Sequence, residues 1–307
     1  MPPDQTVSFD RTDSPFASAG TRCAAWLYRP IAGSGHRAPI VVMAHGFGGT
    51  RGLRLDAYAE RFATAGYQVL LFDYRHFGDS DGQPRNLLGI PRQLADWRAA
   101  VTHARTLPGV DPRRVALWGT SLSGGHVLRI AARDQGIAAV VAQVPHVSGI
   151  AAARAVGPVM SLRLTARGCI DLVRAVTGRP PLYIPAIGSP GEVAAMSSPD
   201  AIPGLQRMLD QSSIEEPARE VAARIILQMG LYSPGRSARR IKAPTLVQIA
   251  KRDNITPAPL ARRVAARLAH HKVFEYDLNH FDPYVEPHFG PMIGDQVDFL
   301  HRVLPVT

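Results

Sequence analysis

The stretch that decides the fold is residues 115–125, which read VALWGTSLSGG. The apolar residues 115–118 are typical of a buried strand, and a helical pattern begins after the two final glycines. Between strand and helix the chain has to turn sharply. A serine at the apex of such a turn needs small residues two positions away on either side. Gly119 and Ser123 meet that requirement around Ser121, so the segment predicts a strand–turn–helix unit with Ser121 at its apex.

A serine held in this way is a candidate nucleophile, and we predict Ser121 in that role. One alternative is an ordinary strand–helix turn, because short Gly-x-Ser-x-small strings also arise by chance. The other moves the frame by two residues and makes Ser123 the nucleophile. The first frame is preferred because the apolar strand ends at Trp118, which leaves only two residues to reach the apex.

The composition fits one large core, or one core plus a modest insertion, since 46% of the 307 residues are hydrophobic. The net charge is +10, but 32 of the 35 basic residues are arginines scattered from Arg11 to Arg302 without a basic block. No nucleic-acid partner is therefore expected. Cys23 and Cys169 show no metal-ligand or redox spacing, which fits a reducing compartment.

Targeting and membrane signals are absent from the sequence pattern. Residues 1–5 contain neither a basic region nor an apolar run, and no apolar stretch approaches the roughly 18 residues that a membrane span needs. We therefore expect a cytoplasmic protein without a membrane partner.

Short apolar runs alternate with helical patterns, which predicts an α/β fold with a mostly parallel central sheet flanked by helices. Strands are predicted at residues 24–28, 39–44, 68–73, 115–118, 137–144, 245–249 and 272–277. Helices are predicted at residues 53–65, 90–106, 126–133, 257–269 and 291–303.

The alternation breaks within residues 146–240, where proline and glycine interrupt irregular helical patterns. Such a stretch is too long for a plain loop in a compact domain. We predict a helical cap at 146–240, inserted into a core formed by residues 1–145 and 241–307. The cap is expected over the carboxyl ends of the strands, where open α/β sheets bind ligands.

Two later residues complete the chemistry that Ser121 needs. Asp253 follows the strand at 245–249, where a carboxylate can orient a histidine and stabilise its protonated form; the alternative is a helix-capping aspartate. His280 follows the last predicted strand in loop-like sequence, which suits a general base. Serine, aspartate and histidine then occur in the order typical of a strand–turn–helix nucleophile.

A glycine-rich loop, HGFGG at residues 45–49, follows the strand at 39–44. Its glycines allow the amide of Phe47 to face a cavity, and the amide of Leu122 would supply a second donor to an oxyanion. A phosphate cradle is the rival interpretation, but the lysine and Ser/Thr of a P-loop are absent.

Five segments in this order resemble the serine α/β-hydrolase superfamily, and more narrowly its dienelactone-hydrolase-like and X-Pro-dipeptidyl-peptidase-like esterases. They are residues 45–49, DYRHFGDSDG at 73–82, the turn at 119–123, Asp253, and HFDPY at 280–284. The resemblance implies the α/β-hydrolase fold. Ser123 departs from the pattern, which usually has glycine there.

The resemblance also implies hydrolysis of a carboxylic ester, or of a thioester or lactone, with no cofactor and no metal. Ser121 would attack the carbonyl and His280 would take its proton, giving an acyl-enzyme that water releases. The expected partner is a small-molecule ester or acyl substrate, and a homo-oligomer stays open. The alternatives are an acyltransferase and a ligand-binding receptor without turnover.

The apolar residues of the predicted cap have two interpretations. They either enclose a hydrophobic acyl or polyketide-like group or pack the cap onto the core. These residues are Val159, Met160, Leu162, Leu182, Tyr183, Ile184, Met208, Ile225, Ile226, Leu227, Met229 and Leu231.

Overall fold

The structure, a computed structural model, describes residues 7–31, 37–212 and 219–306. The strands in these ranges are β1 (Phe9–Asp13), β2 (Phe16–Ser18), β3 (Thr21–Cys23), β4 (Ala25–Pro30), β5 (Ala38–Ala44), β6 (Gln68–Phe72), β7 (Val110–Thr120), β8 (Ile137–Gln143), β9 (Tyr183–Pro185), β10 (Glu220–Ala222), β11 (Thr245–Ala250) and β12 (His271–Tyr276). The α-helices are α1 (Leu55–Thr64), α2 (Ile90–Thr106), α3 (Leu122–Ala131), α4 (Gly149–Val156), α5 (Pro158–Val176), α6 (Ala201–Asp210), α7 (Ile225–Met229), α8 (Ala258–Ala265) and α9 (Phe289–Val303). Short 3₁₀ helices occupy Pro234–Arg240 and Asp282–Tyr284.

A mostly parallel sheet of eight strands forms the centre of the described structure, in the order β1-β4-β6-β5-β7-β8-β11-β12. The five pairings from β6 to β12 are parallel, whereas β4 pairs antiparallel with both β6 and β1. The predicted sheet architecture is therefore confirmed, with an antiparallel pair added at one edge.

Both faces of the sheet are covered, which explains why its central strands are largely apolar. All five residues of β6 are buried, as are the last six of β5. Helices α2, α3 and α8 pack on one face, and α1 and α9 pack on the other. Because these strands are parallel, their carboxyl ends lie at one edge of the sheet, where the loops after β5, β7, β11 and β12 lie close together.

Two differences from the predicted elements have clear causes. Helix α3 begins at Leu122 rather than at residue 126, because its glycines serve close packing even though glycine is a poor helix former. A Cβ on Gly125 would lie 2.3 Å from the carbonyl oxygen of His146. Strand β1 and the hairpin of β2 and β3 were not predicted; four of the five β1 residues are exposed, so the strand lacks an apolar signature.

Residues 146–240 contain α4 to α7 and an antiparallel ribbon of β9 and β10. The ribbon corrects the expectation of a purely helical segment, and its three-residue strands are too short to give a period-2 pattern. Residues 213–218 of the predicted cap lie outside the described residues. The division into core and cap stays a prediction. None of the helices in the described ranges combines the length and apolar character that crossing a bilayer requires.

Three buried glutamines connect α9 to the sheet beneath its carboxyl edge. The side-chain amide of Gln296 donates to Gln143 on β8 at 2.9 Å and to Gln248 on β11 at 2.6 Å. The indole N–H of Trp118 donates to Gln296 at 2.7 Å, and Gln143 donates to the hydroxyl of Thr120 at 3.3 Å. This network fixes the strand ends relative to α9, since each buried amide needs its partners.

A buried ion pair holds several segments of the 146–240 region together. Asp171 on α5 is 0% exposed, and its carboxylate accepts two hydrogen bonds from the guanidinium of Arg224, at 2.7 and 3.0 Å. It also accepts from the backbone amides of Leu182 and Arg224. One carboxylate thus ties α5 to the segments that flank β9 and α7.

We predict that Asp171→Ala lowers the free energy of unfolding by about 3 kcal/mol, because it leaves the partly buried Arg224 without its partner. The measurement is urea unfolding, together with protease cleavage within residues 146–240. The matched control is Asp134→Ala, which breaks the more exposed pair with Arg105 and should cost less than about 1 kcal/mol. Equal losses in the two variants would contradict the role assigned to Asp171.

Candidate active site

Ser121 lies at the carboxyl end of β7, immediately before α3, in a strained backbone conformation with φ of 54° and ψ of −120°. Its amide donates to the carbonyl of Gln143, and its carbonyl accepts from the amides of Gly125 and His146. Gly119 makes the turn possible, since a Cβ there would lie 2.4 Å from the carbonyl oxygen of Ser123. The turn therefore fixes the Ser121 hydroxyl at the edge of the sheet.

The structure brings the three predicted site residues into one hydrogen-bonded chain. Nε2 of His280 lies 3.0 Å from Oγ of Ser121, and Nδ1 of His280 lies 2.6 Å from Oδ2 of Asp253. A carboxylate only accepts, so Nδ1 carries the hydrogen and Nε2 is left to accept the serine proton. This arrangement can make the hydroxyl of Ser121 nucleophilic.

Further hydrogen bonds orient Asp253. Its Oδ1 accepts from the amides of Ile255 and Thr256, and the hydroxyl of Thr256 donates to Oδ2 at 2.6 Å. Burial alone would raise the pKa of Asp253, but His280 and the hydrogen bonds from Thr256 outweigh it and hold the pKa below its ordinary value. Helix α8 begins at Ala258, after an N-cap at Pro257, so Asp253 orders the loop before the helix instead of capping it.

Ser123, the alternative nucleophile, has a different environment. It is 0% exposed, and its hydroxyl lies 3.0 Å from the hydroxyl of Tyr74. That tyrosine hydroxyl accepts a hydrogen bond from the indole of Trp97 at 2.7 Å. Ser123 is thus held on the core side of α3, away from His280.

The two predicted oxyanion donors flank Ser121. Phe47 lies in the loop after β5 and Leu122 is the first residue of α3. A Cβ on Gly46 would lie 3.1 Å from Cβ of Ser121, so this loop packs directly against the serine turn. Within the described ranges, the amides of Phe47 and Leu122 donate no hydrogen bond to the protein. Both N–H groups are therefore available to a ligand oxygen beside Ser121.

Asp73, a buried carboxylate with no predicted role of its own, anchors the loop that carries Phe47. Asp73 follows β6, and its Oδ1 accepts from the amide of Arg51 at 2.7 Å while its Oδ2 lies 3.3 Å from the Arg51 guanidinium. Burial raises the pKa of Asp73 to about 6, against the opposing charge of Arg51. An aspartate directly after the apolar run VLLF at residues 69–72 was the available signal in the sequence.

Two cavities meet at Ser121. The small cavity has a volume of about 330 Å³ and is lined by residues that include His280, Phe281, Leu205 and Thr50. The large cavity has a volume of about 680 Å³ and is lined by residues that include Leu122, His146, Val159, Met160, Ile226 and Met229. Phe47, Ser121 and Met196 line both cavities.

The apolar residues noted in the predicted cap have three kinds of environment: a cavity wall, the core and the solvent-exposed surface. Val159, Met160, Ile226 and Met229 line the large cavity, and Met208 lines the small one. Ile184 and Ile225 are buried in the core, whereas Leu162 and Leu231 are exposed. Within the described ranges, no group of three or more His, Cys, Asp or Glu side chains is placed to hold a metal ion.

The lowered pKa of Asp253 predicts a contribution to the pH dependence of stability. This contribution is present above the ordinary pKa of 3.8 and is lost as the pH falls through the lower pKa of the folded state. The free energy of unfolding should therefore decrease less between about pH 6 and about pH 3 in Asp253→Asn than in the wild type. Urea unfolding at both pH values measures the difference.

The control for this prediction is Asp298→Asn, which changes an exposed aspartate on α9. It should retain the wild-type decrease. If Asp253→Asn lost as much stability on acidification as the wild type, the ionised carboxylate would not stabilise the fold through His280 and Thr256.

Known proteins match this chain over most of its length. The quorum-quenching protein AidA of Acinetobacter baumannii is 42% identical over 294 residues, which cover 96% of this chain and 95% of AidA. The thiohydrolase aneE of Aspergillus aculeatus is 29% identical over 275 residues, covering 87% of this chain and 86% of aneE. The polyketide transferase grgF of a Penicillium species is 28% identical over 201 residues, covering 64% of this chain and 65% of grgF.

A solved structure and a family pattern agree with these relatives. The crystal structure of the alpha/beta hydrolase GrgF from Penicillium sp. sh18 superposes with a TM-score of 0.79 at 22% identity, covering 96% of this chain and 99% of GrgF. This likeness shows the fold. The X-Pro dipeptidyl-peptidase (S15 family) pattern matches residues 19–183, more than half of the chain. The chain therefore belongs to the X-Pro dipeptidyl-peptidase (S15) family of the serine α/β-hydrolase superfamily, as its sequence motifs predicted.

Proposed function

We propose that this hydrolase cleaves a carboxylic ester, thioester or lactone through an acyl-enzyme on Ser121. One observation carries the proposal. The hydroxyl of Ser121, the imidazole of His280 and the carboxylate of Asp253 form a continuous hydrogen-bonded chain that opens on two cavities. The unpaired amides of Phe47 and Leu122 beside it support the oxyanion role.

The first half of the reaction transfers the acyl group to the enzyme. Oγ of Ser121 forms a bond to the substrate carbonyl carbon while Nε2 of His280 takes the hydroxyl proton. The carbonyl oxygen becomes an oxyanion, which the amides of Phe47 and Leu122 stabilise. The bond from carbon to the leaving oxygen or sulfur then breaks, and that atom receives the proton from His280.

The second half returns the enzyme to its starting state. Water gives a proton to Nε2 of His280 and its oxygen bonds to the acyl carbon. The bond to Ser121 Oγ breaks, the proton returns to the serine, and the carboxylic acid is released. Asp253 stays ionised throughout and holds the imidazole in position, consistent with its lowered pKa.

Acyl transfer is the second candidate, and the large cavity favours it. Its volume of about 680 Å³ and its apolar residues Val159, Met160, Ile226 and Met229 suit a bulky acyl group. The relative grgF is named a polyketide transferase, whereas aneE is named a thiohydrolase. In the transfer reaction an alcohol, thiol or amine would take the place of water at the acyl carbon.

We predict that Ser121→Ala abolishes labelling by a fluorophosphonate and lowers kcat on a p-nitrophenyl ester by about 10⁵-fold or more, because the nucleophile is removed. Ser123→Ala is the matched control and should keep both activities, since that hydroxyl contacts Tyr74 within the core. If Ser121→Ala were still labelled, another residue would be the nucleophile. A wild-type protein that neither labels nor turns over esters would support the ligand-binding receptor.

A partition experiment separates hydrolysis from transfer. For a hydrolase, we expect an activated octanoyl thioester to yield free acid at a rate that added alcohol or thiol does not change. A transferase would form the new ester or thioester at the expense of free acid as the acceptor concentration rises. Quantifying both products over a series of acceptor concentrations decides between the two.

A further inference from the structure

His146 places an imidazole in the large cavity next to the nucleophile turn. It follows β8, and its backbone amide donates to the carbonyl of Ser121 at 2.8 Å. The side chain lines the large cavity and the residue is only 5% exposed. The mechanism proposed above does not use this histidine.

The surroundings of the ring fix which nitrogen carries the hydrogen. Nε2 of His146 lies 3.3 Å from the carbonyl oxygen of Tyr232, which can only accept, so Nε2 carries the N–H. The ring stacks on the ring of Tyr232, with centroids 6.0 Å apart and planes 7° apart. Burial lowers the pKa of His146 to about 4, and the ring is neutral at pH 7.

The other nitrogen of His146 is therefore an acceptor. Nδ1 keeps its lone pair, and in the described part of the chain no residue donates a hydrogen bond to it. Apolar side chains such as Met160, Ile226 and Met229 line the same cavity. A ligand that fills the cavity without offering a donor would leave this acceptor unpaired, which costs binding energy.

The position of His280 indicates which part of a substrate enters each cavity. This step rests on the proposed function, in which His280 passes its proton to the leaving group. His280 lines the small cavity and is not among the described residues that line the large one. The leaving group must lie within reach of Nε2, so it occupies the small cavity. The acyl part then occupies the large cavity beside His146.

We propose that Nδ1 of His146 accepts a hydrogen bond from an O–H or N–H group on the acyl part of the substrate, close to the scissile carbonyl. The preferred acyl group carries a hydroxyl or an amide N–H near its carbonyl, in contrast to a plain alkanoyl chain. His146 is then a specificity-determining residue.

Matched thioesters test this preference. The probes are octanoyl, 3-hydroxyoctanoyl and 2-acetamidooctanoyl thioesters, with the O-methyl and N-methyl forms of the last two. For at least one of the two pairs, we expect the kcat/KM of the wild type to be about 3- to 10-fold higher for the donor-bearing thioester than for its methylated form. The pair that shows the larger ratio identifies whether the site binds a hydroxyl or an amide N–H. A wild-type enzyme that hydrolyses all five without a preference for a free donor would overturn the inference while leaving the proposed function intact.

Two variants assign the preference to His146. His146→Phe keeps an aromatic ring against Tyr232 but removes the acceptor, so the ratio of kcat/KM for the donor-bearing and methylated thioesters should fall to about 1. His146→Asn offers a carbonyl oxygen near the position of Nδ1 and should restore part of the ratio. The control is His301→Phe, which changes a histidine on α9 that stacks on Tyr67 and is not among the residues that line the two cavities. It should keep the wild-type ratio.

The ratio distinguishes recognition from a packing defect, because a packing defect changes both members of a substrate pair alike. A folded His146→Phe protein, verified by circular dichroism, that retains the wild-type ratio would refute the role of His146. If that variant does not fold, the wild-type ratios and the His146→Asn ratios still decide the question.

Discussion

The backbone of Ser121 has a positive φ that residues with side chains rarely adopt, and the hydrogen bonds around it hold it there. Strain of this kind costs on the order of 1–3 kcal/mol and persists only where the surroundings over-determine it. Here β8 supplies the carbonyl of Gln143, the loop after β8 supplies the amide of His146, and α3 supplies the amide of Gly125. Ser121 is therefore held by hydrogen bonds from the sheet, from α3 and from a residue that lines the large cavity.

The same convergence explains how a single serine serves two cavities. Because the turn projects from the carboxyl edge of the sheet, the space on one side of Ser121 is bounded in part by the loop that carries His280. The space on the other side is bounded in part by Leu122, His146 and residues of α5. Phe47 and Met196 line both spaces at their junction. A molecule that spans the junction would pass Ser121 and have its two ends in different surroundings.

The sequence predicted those features that local pattern encodes. Apolar runs marked the central strands, and small residues around Ser121 marked the turn. Chain order and loop position marked Asp253 and His280, and the structure brings them to Ser121.

Features that depend on contacts between distant segments were missed. The tautomer of His146 depends on the carbonyl of Tyr232, which lies 86 residues away in the sequence. Arg51 and Asp73 form a pair across 22 residues, and no local pattern marks the side chain of Arg51. Strand β1 was missed because an exposed edge strand carries no hydrophobic signature.

The glutamine network under the sheet has a consequence for how the family can diverge. Gln296 donates hydrogen bonds to Gln143 and to Gln248. An apolar replacement at any of the three positions would therefore leave a buried amide group of a neighbouring glutamine without its partner. We therefore expect the effects of substitutions at these three positions to be coupled and non-additive. The loops that carry Asp253 and His280 are outside this network, so their sequences can change while the three glutamines stay constant.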